Sequence, residues 1–72
     1  MRRIVVLGEA SRVRGFRLAG ATVIEAAGST EIAAAWSALP PDTVLIILTA
    51  AAAAVVRDRL VERPRLVWAV MP

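Results

Sequence analysis

The side chains that could carry chemistry in this chain are few: six carboxylates (Glu9, Glu25, Glu31, Asp42, Asp58 and Glu62), three serines and nine arginines, with no lysine, histidine, cysteine or tyrosine. Without histidine, no side chain titrates near neutrality in its ordinary state, so general acid/base catalysis would fall to scattered carboxylates. Ser11, Ser29 and Ser37 have no base beside them and suit cap or surface roles. Only Asp58 and Glu62 share a surface at helical spacing, too few for the ligand set of a divalent cation, and thiolate sites and disulfides are excluded outright. A phosphate loop would need Gly-Lys-Ser/Thr, and a dinucleotide loop Gly-x-Gly-x-x-Gly; after Gly8 the next glycine is Gly15. No catalytic residue, cofactor-binding residue or metal ligand is therefore expected.

The net charge of +3 raises the question of nucleic acid, which would need the arginines in one stripe. On a helical wheel Arg14 and Arg17 are neighbours, but Arg12 and Arg14 point about 160° apart, as do Arg57 and Arg59. A solvated helix face or a protein-contacting patch fits them better than a nucleic-acid surface. A membrane span is not expected either. Thr43 to Val56 carries no charge, but it is shorter than the roughly 18 apolar residues a spanning helix needs. Arg2 and Arg3 precede an apolar run, yet Gly8 and Glu9 end it too early for a signal peptide.

The elements that would position these groups repeat one pattern. Ile4 to Leu7, Thr22 to Ala26, Val44 to Leu48 and Leu66 to Val70 are short apolar runs, most of them rich in β-branched residues, that read as strands, the last three following Gly20, Pro40-Pro41-Asp42 and Pro64. Helices are predicted between them: Ala10 to Ala19 with Gly20 as a left-handed C-cap, Thr30 to Leu39 capped by Ser29, and Ala50 to Arg63 capped by Thr49. Ile32, Ala35, Trp36 and Leu39 fall on one face of the second. In the first, Val13, Phe16, Ala19 and Gly20 cluster, so Phe16 is expected in the core, where truncation to alanine would cost roughly 3 to 5 kcal/mol. The fold class is α/β: one domain, residues 1–72, with a small three-layer Rossmann-like or flavodoxin-like parallel sheet of four strands, order 2-1-3-4, and alternating helices. An apolar fraction of 58% is high for so short a chain and points to surface that a partner covers.

In such sheets ligands bind at the carboxyl ends of the strands, here Gly8-Glu9-Ala10-Ser11 and Thr49-Ala50. A receiver domain would place clustered acids and a phospho-accepting Asp there; this chain has Glu9 alone and Thr49. The segment from Gly8 to Gly20, with Gly-Phe-Arg-Leu-Ala-Gly intact at Gly15 to Gly20, resembles the opening of the F subunit of rotary V/A-type ATP synthases. Leu45 to Thr49, Arg57-Asp58 and Pro64 to Pro72 are similar to later parts of the same family. The resemblance implies a non-catalytic central-stalk subunit in the cytoplasm, peripheral to the membrane. Such a subunit docks on the coiled-coil D subunit inside the A/B hexamer and helps couple ATP turnover to proton or sodium transport. Family members continue into a C-terminal segment with a regulatory role; the chain ends at Pro72, so docking is carried over and regulation is not. Leu18 lies about 160° from the buried face of the first helix and adjoins Arg14 and Arg17, which makes Arg14, Arg17 and Leu18 the candidate partner interface. The alternative is a stand-alone α/β interaction domain such as a degenerate receiver.

Overall fold

A computed structural model describes residues 2–72 and, within them, the side chains of all but Leu18 and Ala19. The four apolar runs form β1 (Arg3–Gly8), β2 (Thr22–Glu25), β3 (Thr43–Leu48) and β4 (Val67–Val70), all parallel, in the order β2-β1-β3-β4. Between them lie α1 (Ala10–Val13), α2 (Ser29–Ser37) and α3 (Ala50–Val56). The predicted sheet and its order are thus present.

Two of the helices are shorter than predicted. Past Val13 the first continues as a 3₁₀ segment, Arg14–Ala19, and past Val56 the third becomes 3₁₀ over Arg57–Glu62. Glu9, at the start of α1, places no side chain on the helix amides, and Gly15 follows within a turn and a half, so little favours the α form there. Gly20 closes the segment with φ 83°, the left-handed cap its type suggests. At α2 the cap is Gly28 (φ 82°) rather than Ser29, which is the first helical residue. The Glu31 carboxylate accepts from the Ala27 amide at 2.9 Å and holds that turn. Thr49 does cap α3, its hydroxyl accepting from the Ala52 amide at 3.2 Å.

Register assigns the two faces of the sheet. Val5, Leu7, Ile46 and Leu48 point to the side of α2 and α3 and form one buried cluster with Ile32, Trp36, Leu39, Ala52 and Val56. Trp36 is the largest of these, 1% exposed. Its ring N–H donates to Glu62 Oε1 at 3.2 Å, the Arg63 guanidinium lies 6.0 Å from the ring centroid, and Arg59 donates to Glu62 Oε2 at 3.2 Å. At the amino ends of the strands Arg3 donates to Asp42 at 2.9 Å and to Thr22 at 3.2 Å, joining β1, β2 and the turn before β3.

Phe16 differs from its expected place. It lies at the outer border of the 3₁₀ segment, lining a groove with Ile4 and Ile47 where the cover of the sheet ends, and is half-buried rather than in the core. Phe16→Ala should therefore cost about 1 to 2 kcal/mol, against about 3 to 5 for Trp36→Ala, measured by urea unfolding. A chain of this size has roughly 4 to 11 kcal/mol in total, so only the second change should approach unfolding.

Hydrogen bonds from Arg59 and then Trp36 hold the Glu62 carboxyl below its ordinary pKa, and Arg3 does the same for Asp42. A lowered folded-state pKa means stability that is fully present above the unfolded-state value, about pH 4 to 4.5, and is lost as pH falls through the folded one. Glu62→Gln should flatten the acid limb of the urea midpoint plotted against pH. An unchanged limb would assign the acid loss to other groups.

Candidate functional site

The sheet order reverses between β1 and β3, the usual ligand crevice of this architecture. Here a side chain fills it. Thr49, fully buried, packs on Gly8, where an added Cβ would stand 2.7 Å from the Thr49 hydroxyl oxygen and 2.9 Å from its Cβ. Gly8 is therefore glycine for close approach of β1 to Thr49, and the Thr49 hydroxyl is committed to the α3 cap. Beside it, a depression of about 220 Å³ is lined by Ala10, Glu25, Ala26, Ala27 and Glu31. Both carboxylates already have partners: Glu31 the Ala27 amide, Glu25 two arginines. A larger cavity, about 470 Å³, lies at the opposite, amino end of β3, between Pro41 and Pro64.

The sheet face away from α2 and α3 is unevenly covered. The α1 and 3₁₀ residues lie over β1 and β2, where Val6 and Val13 are buried. Over β3 and β4 no helix follows among the described residues. Ile4 is 45% and Val67 62% exposed; Leu45 and Ile47 are half-buried and Ala69 is exposed. Register sets Ile4 beside Leu45, Leu45 beside Val67, and Ile47 beside Ala69, so these five side chains form one apolar strip. Its inner border is a groove of about 380 Å³ between the sheet (Ile4, Ile47) and the 3₁₀ side (Phe16, Gly20, Ala21), with Arg2 at the rim.

The predicted interface residues sit on that same 3₁₀ segment. Arg14 and Arg17 both reach Glu25 Oε2, at 3.4 and 2.8 Å, with side chains 69% and 60% exposed. One carboxylate shared by two guanidiniums leaves the cluster with a net positive charge. The Leu18 side chain lies outside the described residues. Other arginines have internal partners: Arg3, Arg12 and Arg59 in ion pairs, Arg63 on the Leu39 carbonyl. Gly15 has no positive φ, and among the described residues no atom lies within 4 Å of an added Cβ, so none of them requires glycine there. No family model matches the chain, and no curated protein or solved structure matches it. Among the described residues, no helix is long and apolar enough to cross a membrane, and no three acidic, histidine or cysteine side chains group as a metal site.

Sequence reasoning found the arginine pair and missed the apolar strip. The signal was present in the topology: α1 is the one helix preceding a strand on the β2 side, and hydrophobic runs at β3 and β4 read as buried on both faces.

The Gly8 and Thr49 packing is checked by a double-mutant cycle in urea. Gly8→Ala should cost about 1 to 3 kcal/mol as overpacking, and Thr49→Ser, which keeps the cap and removes the crowding methyl, should recover part of that loss in the Gly8→Ala background. Simple additivity of the two changes would show that they do not meet.

Proposed function

We propose that the chain is a non-catalytic docking subunit of the central-stalk kind, binding the coiled-coil D subunit of a V/A-type ATP synthase at the cytoplasmic side of the membrane. The observation that carries this reading is the apolar strip on β1, β3 and β4 running beside the cationic 3₁₀ segment that holds Gly15 to Gly20. A helix whose apolar stripe lies on the strip and whose acidic flank meets Arg14, Arg17 and Arg2 has the complementary chemistry. Gly15 supports the same surface, because a glycine that no described residue packs against lets a partner approach the backbone closely. In this role the subunit would transmit rotation within the A/B hexamer, where other subunits turn over ATP, and so contribute to coupling that turnover to proton or sodium movement.

Titration calorimetry with purified D subunit tests it. A 1:1 complex is expected, weakened at least tenfold by Val67→Asp and by Arg14→Glu with Arg17→Glu, and unaffected by Val61→Asp, which changes an 81% exposed residue away from the strip. Gly15→Ala should leave stability unchanged or slightly raised while weakening the complex. No binding to D, or binding indifferent to the strip and arginine variants, removes the proposal. Leu18→Asp extends the test to the remaining predicted interface residue.

A further inference from the structure

The outer backbone edge of β4 borders the strip, and its chemistry is self-complementary. The Met71 amide donates to the Leu48 carbonyl at 2.8 Å, which fixes the phase of the strand's backbone. Residues 67, 69 and 71 turn their N–H and C=O groups inward to β3, and Leu66, Trp68 and Val70 turn theirs outward. The Leu66 amide is taken by the Arg63 carbonyl at 3.0 Å. Both backbone groups of Trp68 and of Val70, with the Leu66 carbonyl, remain on the open edge.

Such edges are usually guarded by charge, proline within the strand or a covering element. Val67-Trp68-Ala69-Val70 has neither charge nor proline, and Val67, Trp68 and Val70 are 62, 49 and 43% exposed. We propose that this edge pairs with the same edge of a second copy, antiparallel, about a two-fold axis through Trp68. That register uses the free groups in phase: each Trp68 N–H meets the other Trp68 carbonyl, and each Val70 N–H meets the other Leu66 carbonyl. It keeps the faces matched, with Trp68 against Trp68 and Val67 opposite Ala69. Charge selects the direction. Antiparallel pairing sets the two Arg65 residues about 20 Å apart along the strands, beyond the screening length of about 8 Å, whereas parallel pairing would set them side by side.

The area sets the strength. A strand of four residues offers less than the 1,200 Å² or so of stable interfaces, so the pairing is weak and needs high protein concentration. It does not rest on the stalk reading, since it uses the edge and docking uses the face.

Sedimentation equilibrium of the full chain across about 5 to 500 μM should show the mass rising from 7.6 kDa toward twice that value. Trp68→Lys, which puts like charges opposite each other on the axis, should hold it at the monomer mass to the highest concentration while leaving D binding intact. Because the chain has no cysteine, Trp68→Cys carries a single thiol on the axis and should cross-link on mild oxidation, whereas Val61→Cys should not. A monomer mass throughout overturns the proposal, as does a dimer that Trp68→Lys leaves intact or that cross-links equally through Val61→Cys. If circular dichroism shows Trp68→Lys unfolded, the wild-type masses and the cysteine pair decide.

Discussion

Handedness governs this molecule. Crossovers between parallel strands are right-handed, so the direction in which the chain moves along the sheet decides which face each helix covers. From β1 to β2 the chain moves one way and α1 falls on one face; from β2 over to β3, and from β3 to β4, it moves the other way, and α2 and α3 fall on the opposite face. Two helices therefore seal one side around Trp36. A four-residue helix and a 3₁₀ segment cover part of the other, above β1 and β2. The open strip over β3 and β4 follows from the strand order itself, given strands apolar on both sides.

The covered face then holds the domain together with few side chains. Trp36 bridges α2 to the sheet, and its link through Glu62 to Arg59 fastens the 3₁₀ segment after α3 over the same cluster. At the carboxyl ends, Gly8 lets Thr49 sit where these sheets otherwise open a crevice. Packing and capping thus occupy the position at which a ligand would enter, and the surfaces left with unmatched chemistry are the flanks.

Much of this was legible from spacing alone. Four runs of four or five residues, all apolar but for Thr22 and Glu25 in the second, are separated by proline and glycine turns and specify the strands, and short connections with one hand of crossover specify their order. Thr49 and Gly20 announced their caps by type and position. What spacing could not specify was the α or 3₁₀ character of the segments after Val13 and Val56, because the two forms differ by a fraction of a residue per turn and packing decides between them. The half-burial of Phe16 was lost as well, since it follows from where the cover of the sheet ends. Arg14 and Arg17 were read as neighbours, as they are, but Glu25 is eight and eleven residues further along, and only pairing of β2 with β1 brings it under them. The open strip escaped for a different reason: the apolar pattern of β3 and β4 reads identically whether or not a helix covers the second face, and only the strand order with its hand of crossover tells the two apart.

An uncovered face on so small a domain joins docking to folding. A partner seated on Ile4, Leu45, Ile47, Val67 and Ala69 binds only the folded sheet, because in the unfolded chain these residues share no surface. Its binding free energy adds to stability, about 2.7 kcal/mol at a partner concentration one hundred times Kd, which is a large part of the roughly 4 to 11 kcal/mol a chain of this length commands. The converse holds as well: loss of a core contact lowers the folded fraction available to the partner and weakens apparent docking without touching the strip. Strip residues and core residues therefore separate only when affinity and stability are read on the same variants. Val67, 62% exposed, should move the first and spare the second, while Trp36, 1% exposed, should move both.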